Sequence, residues 1–227
     1  MTAATLEPPA HHPEIVVLED EPEYALSHIA PVITQPLALA VDIDDVLHPW
    51  YRLAHEACVA ENVGNARKVG LPDTWHMWDA YGVEEDEWAK VINSAAVFGN
   101  LYTAPPMTNV VWWLNALKEA GHEIHLVTAR GLHAGESPVS DLRDIIRKKT
   151  INWVFENDIP HDSLTFLKNK TRFLADVYID DGAHNVAALS AAGRVVYLCD
   201  APHNQSFDYF PRVPSFAAFA KMIVEAS

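Results

Sequence analysis

Within "LALAVDIDDVLHPW", residues 37 to 50, an apolar run gives way to three carboxylates, Asp42, Asp44 and Asp45, inside four positions. Like charges this close repel, and half-buried carboxylates are normally kept apart or solvated. Two other apolar runs end in polar groups: "EIHLVTAR" in Thr128, then Ala129 and Arg130, and "DVYIDD" in Asp180 and Asp181. If these run-ends meet, each carboxylate pair at about 4 Å costs roughly 4 kcal/mol at an effective dielectric near 20. A cation is therefore expected among them. Every candidate ligand is an oxygen, with no cysteine or paired histidine, so a hard ion such as Mg²⁺ is favoured over zinc.

The elements that must bring these residues together read as strand, helix, strand. "LALAVDI" suits a central parallel strand covered on both faces. "MTNVVWWLNALKEAGHEIHLVTAR" gives a helix with the stripe Val110, Trp113, Leu114 and Leu117, a stop at Gly121 and a second strand. "SDLRDIIRKKTINWVFENDIP" is a helix closed by Pro160, "SLTFL" a third strand and "DVYIDD" a fourth. "HNVAALSAAG", "RVVYLCD" and "PSFAAFAKMIVEA" add a helix, a fifth strand and a last helix with the stripe Phe216, Phe219 and Ile223. The alternation predicts an α/β fold, a Rossmann-like doubly wound parallel sheet, in which ligands bind beyond the carboxyl ends of the strands.

Residues 48–106 are too many for one crossover and carry helical patterns at "YRLAHEACVAEN" and "EDEWAKVINSAAV". They are expected to form a small helical cap inserted after the first strand, with the core domain made of 37–47 and 107–227. Residues 1–36, rich in proline and acids and lacking Lys and Arg, read as an acidic leader. Its "IVVLEDEPEY" resembles the opening of a phospho-receiver domain only superficially. A receiver needs a phospho-accepting Asp one βαβ unit later, and "YRLAHEACVAEN" has none.

The bulk numbers exclude several classes. The net charge of -15 argues against long nucleic acid, whose affinity rests on Lys and Arg meeting phosphates. A small anionic substrate stays compatible if a local cation offsets the field. No apolar stretch reaches the roughly 18 residues a membrane span requires, so a soluble, cytoplasmic protein is expected. Cys58 and Cys199 have neither metal spacing nor a disulfide framework and read as buried thiols. Among the twelve histidines, His11 and His12 lie in the leader, His48 and His184 flank the acidic residues, and none forms a zinc pair on a helix.

The order of D-I-D-D-V at 42–46, strand-end Thr128, Lys170 and strand-end Asp180-Asp181 resembles the four motifs of haloacid dehalogenase-like phosphatases. The 5'(3')-deoxyribonucleotidase branch is most similar, through the Lys170-Thr171 pair before the terminal acids, the small cap, and an aromatic, Trp50, eight residues past the first Asp. The resemblance implies Asp42 as nucleophile, Asp44 as general acid and then base, and Thr128 and Lys170 as phosphate-holding groups. It also implies Mg²⁺ held by Asp42, the Asp44 carbonyl, Asp180 and Asp181, with Ala129 and Arg130 contributing backbone N–H donors to the phosphate. Lys168 is expected to be surface charge.

A nucleoside monophosphate is the implied substrate, with Trp50, Trp75 and Trp78 as candidate stacking platforms and Trp88 assigned to the cap core. A polynucleotide-end or small-metabolite phosphatase, or a non-catalytic phosphate-binding scaffold, is the alternative; a homodimer stays open. Two residues depart from the branch pattern: Asp45 stands where glycine is usual, and Arg130 where small or hydroxylic residues are commoner. Arg130 could grip a second phosphate or a base edge, or face solvent.

Overall fold

The computed structural model describes residues 35–132 and 141–227. Six strands, β1 (Ala38–Val41), β2 (Glu123–Thr128), β3 (Ser163–Phe166), β4 (Val177–Asp180), β5 (Val195–Cys199) and β6 (Arg212–Val213), form one sheet in the order β3-β2-β1-β4-β5-β6. All pairings are parallel. This is the doubly wound α/β architecture expected from the alternation of elements. The expected leader, including "IVVLEDEPEY" and the His11-His12 pair, lies outside the described residues.

The helices are α1 (Trp50–Ala60), α2 (Ala66–Val69), α3 (Met77–Tyr81), α4 (Glu85–Phe98), α5 (Val110–Glu119), α6 (Leu142–Glu156), α7 (Ala183–Ala191) and α8 (Phe216–Ala226). Strand β1 explains the two-sided cover through its period of two. Leu39 and Val41, with Ile43 beyond the strand, join a core with Leu114, Leu117, Trp153 and Phe219, while Ala40 joins Tyr178, Val186 and Leu189. Either face exposed would leave an apolar stripe in water, at about 25 cal/mol per Å². Among the described residues, no helix is long and apolar enough to cross a membrane.

Helices α1 to α4 lie between β1 and α5 in the chain and gather their own core around Tyr51, Leu53, Cys58, Met77, Tyr81 and Ile92. That core also takes in Leu142 and Ile146 of α6, and the Trp153 Nε1–H donates to Ala104 O at 2.8 Å. Helices α1 to α4 thus pack onto α6 and share a core with it.

Two features escaped the reading of periodicity. β6 is only two residues between Pro211 and Pro214, too short for any alternation, and exists because its backbone pairs with Leu198 and Cys199. α2 and α3 are single turns ending at Gly70 and Gly82, both at positive φ.

Candidate active site

The chain order of strands reverses beside β1, which has β2 on one side and β4 on the other. In such sheets the crevice at the carboxyl ends next to the reversal is where ligands bind. Asp42 is the first residue past β1, and its N–H continues the ladder to Ile179 O at 3.1 Å. Thr128 ends β2 and Asp180 ends β4, with Asp181 next. The sheet register alone therefore carries these residues to one edge.

Lys170, in a single 3₁₀ turn before β4, sits between two of the acids. Its Nζ is 2.8 Å from Asp42 Oδ1 and 2.6 Å from Asp180 Oδ2. Burial alone would lower the Lys170 pKa, but the Asp180 and Asp42 carboxylates override it and hold it above the usual lysine range. Lys168, two residues earlier, is exposed. Asp180 also accepts from the Gly182 N–H at 2.9 Å and from Asn185 Nδ2 at 3.0 Å.

One lysine does not balance the cluster. Burial pushes Asp42 well above the carboxylate range, Lys170 draws it back, and Asp180, Asp181 and Asp44 push it further up. Burial and then Asp180 push Asp181 up to about 8. Asp42, Asp180 and Asp181 each bring an oxygen to within 4.8 Å of the others. An all-oxygen set of hard, crowded donors fits a Mg²⁺ ion.

A pH effect follows from Asp181. Its folded pKa of about 8 lies above that of an unfolded carboxylate, near 3.9. A raised pKa means the folded state holds the proton more tightly. The contribution is complete below about pH 4 and is lost as pH rises through 8. Mg²⁺ must displace that proton at low pH and relieves bare repulsion at high pH. Thermal unfolding should therefore show a larger Mg²⁺-induced rise in Tm at pH 8.5 than at pH 6, over an EDTA control. Equal shifts at both values would contradict it.

Asp44 is partly exposed and is gripped by a buried arginine. Arg130 Nε and Nη2 both donate to Asp44 Oδ1, at 2.9 and 2.6 Å. Arg130 is 3% exposed, with its guanidinium carbon 5.1 Å from the Tyr102 ring centre and 5.4 Å from that of Trp153. Of the roles weighed for it, facing solvent is ruled out by this burial. His48 is fully buried edge-on against Trp153, and burial, then Arg130, push its pKa down to about 2. Thr128 Oγ1 accepts the Arg130 N–H at 3.2 Å, which leaves the hydroxyl proton free to donate. Ala129, between them, is partly exposed.

Asp45 has φ 52°, the left-handed region in which glycine is easiest and Asp or Asn is tolerated. A glycine would take this backbone conformation without strain. Here the Asp45 carboxylate accepts the Tyr51 N–H in the first turn of α1, at 3.0 and 3.1 Å to its two oxygens.

The three candidate stacking tryptophans separate. Trp75 is 49% exposed and packs edge-on against His184 and His203, at 4.9 and 5.0 Å between ring centres. His203 Nε2 in turn lies 2.9 Å from Asp181 Oδ2, so this half-exposed ring stands one contact away from the acidic group. Trp78 stacks on His76 and leans on Trp88, and Trp50 packs beside Tyr51 against the core that α1 to α4 share with α6. Trp88 also packs against that core.

Sequence reasoning did not find His203 and Asn204. Asn204 Nδ2 donates to Asp181 O at 2.9 Å and to Cys199 O at 2.7 Å, and His203 Nε2 lies 2.9 Å from Asp181 Oδ2. They follow β5 as Asp181 follows β4, and the "DAPHN" at a strand end was the available signal.

The family model described as "5' nucleotidase, deoxy (Pyrimidine), cytosolic type C protein" matches residues 35–227. The 5'(3')-deoxyribonucleotidase of Bacillus subtilis is 29% identical over 105 residues, which are 45% of this chain and 54% of that protein. A Chlorobaculum tepidum relative is 32% identical over 81 residues, 36% of this chain and 37% of its own length. The chain thus spans about half or less of these two curated relatives. Among solved structures, the L-2-haloacid dehalogenase of Xanthobacter autotrophicus superposes with a TM-score of 0.52 at 11% identity, over 83% of this chain and 98% of that one. That likeness is one of fold.

Proposed function

Because the chain belongs to the deoxy (pyrimidine), cytosolic type C 5'-nucleotidase family, we propose that it is a Mg²⁺-dependent phosphomonoesterase of the cytoplasm acting on nucleoside monophosphates, deoxyribonucleotides above all. The observation that carries this reading is Asp42 at the sheet's switch point with Lys170 bound to its Oδ1 at 2.8 Å. That arrangement sets an oxygen nucleophile beside a cation that can draw in a phosphate dianion.

An Asp42 oxygen attacks phosphorus, the bond from phosphorus to the nucleoside oxygen breaks, and a phosphoryl-Asp42 forms. Asp44 supplies the proton that the leaving oxygen needs. Water then attacks the phosphoryl-Asp42, giving its proton to Asp44, and releases phosphate with Asp42 restored. Arg130 occupies Asp44 Oδ1 and leaves Oδ2 for both proton transfers. Thr128 donates its hydroxyl proton to a phosphoryl oxygen, assisted by backbone N–H groups at Ala129 and Arg130. Mg²⁺, held by Asp42, Asp180, Asp181 and the Asp44 carbonyl, would neutralise the charge shared by nucleophile and phosphate.

Trp75 is the ring we assign to base stacking, since it alone of the three tryptophans is half-exposed beside active-site residues. Stacking of one base is worth about 1–3 kcal/mol. Trp75→Ala should raise KM for a deoxyribonucleoside monophosphate by roughly 5- to 150-fold, with a much smaller change in kcat. A panel of mononucleotides, oligonucleotide 3'-phosphates and sugar phosphates tests the substrate class. Faster turnover of sugar phosphates than of any mononucleotide would overturn the nucleotide assignment.

A further inference from the structure

Beside the Asp42, Asp180 and Asp181 group lies a second set of ligand atoms. Asp45, Asp181 and His203 each bring one donor atom to within 4.8 Å of the other two. Two carboxylates alone would not make a site. His203 supplies the independent observation: it is 4% exposed, and among the described residues neither ring nitrogen has a hydrogen-bond partner. Its Nε2 comes to 2.9 Å from Asp181 Oδ2, but off the line a hydrogen bond requires. An unpaired buried polar group costs on the order of 1–3 kcal/mol, and a neutral imidazole nitrogen is a common metal ligand.

The imidazole is held where it is. Tyr51 and Trp75 pack on it at 4.7 and 5.0 Å between ring centres, and the neighbouring Asn204 is pinned to Asp181 O and Cys199 O. Asp45 keeps its carboxylate at φ 52°, where glycine would be free of strain. Its two oxygens spend one contact each on the Tyr51 N–H, and a carboxylate has about four acceptor positions.

We propose that Asp45, Asp181 and His203 bind a second divalent ion, a transition-metal dication of the Zn²⁺ type, with Asp181 shared between this ion and the Mg²⁺ group. The nitrogen ligand is what separates the two positions chemically: imidazole suits transition metals, whereas Mg²⁺ prefers oxygen donors. Charge favours it as well. Among the described residues, Asp42, Asp44, Asp45, Asp180 and Asp181 meet only Lys170 and Arg130 in ion pairs with basic side chains other than histidine, so with all five acids ionised one Mg²⁺ leaves the group short of neutrality before a phosphate arrives.

The test is metal retention by the full chain. Protein loaded with Zn²⁺ is dialysed against a large excess of Mg²⁺, and bound zinc is counted by mass spectrometry. Wild type should keep one Zn²⁺ per chain. Asp45→Gly, whose new residue suits the local backbone, and His203→Gln should each weaken retention by no less than the about 10–100-fold seen when a ligand's supporting partner is removed. Complete exchange of Zn²⁺ for Mg²⁺ in wild type, or undiminished retention in either variant, overturns the site. The readout is bound metal, so the result stands apart from whether nucleotides are hydrolysed.

Discussion

Asp42→Asn is expected to lower phosphate release by at least about 10⁴-fold, the scale on which removal of a covalent nucleophile acts. The amide keeps the size and the backbone of Asp42 but has no anionic oxygen to attack phosphorus. Lys170 loses one carboxylate and keeps the other, Asp180 at 2.6 Å, so its ammonium is not orphaned. Burial already pushes Asp42 well above the carboxylate range, with Asp180, Asp181 and Asp44 adding to it, so a neutral side chain there relieves repulsion. The metal-free variant should therefore unfold at a temperature no lower than wild type at pH 8. A phosphate-release assay with Mg²⁺, paired with thermal unfolding, checks both halves. Turnover within tenfold of wild type in a folded variant would remove Asp42 as nucleophile.

The residues that sequence could place are those whose position is set by strand period. Asp42, Thr128 and Asp180 each terminate an apolar run, and parallel register carries strand ends to one edge whatever the rest of the chain does. Lys170 needed more than period. It was separable from Lys168 by likeness to other chains, and physically it differs because only Lys170 is buried between two acids.

What stayed hidden depends on contacts between distant segments. The hold of Arg130 on Asp44 joins residues 86 apart, and the approach of His203 to Asp181 arises because two neighbouring strands end side by side. Neither leaves a spacing in the sequence. Asp45 was visible as an unusual residue, but its reason, a backbone at positive φ, is a property of the turn between β1 and α1. The tryptophans show the same limit. Composition marks all three as rings able to stack, and only packing distinguishes Trp75 against His184 and His203 from Trp78 on Trp88.

Lys170→Met should be the most damaging change for the fold of the metal-free protein. Lys170 is buried between Asp42 and Asp180. Breaking a buried ion pair by removing one partner costs about 3–5 kcal/mol, because a bare buried charge is left behind. For a domain of this size that lowers Tm by roughly 6–20 °C. The sign with pH is fixed by the acids. Without Lys170, the Asp42 pKa rises further, because among the described residues Lys170 is the neighbour drawing it down. A raised folded pKa contributes stability at low pH that is lost as pH rises. The deficit of the variant should thus be small near pH 5 and large at pH 8, and Mg²⁺ should recover part of it by meeting the same carboxylates. Phosphate release should fall with the loss of the positive charge beside the nucleophile, even where Mg²⁺ has restored the fold. A deficit in Tm that is the same at pH 5 and pH 8 would mean that Lys170 acts through packing alone, and its place between the two acids would no longer explain the site.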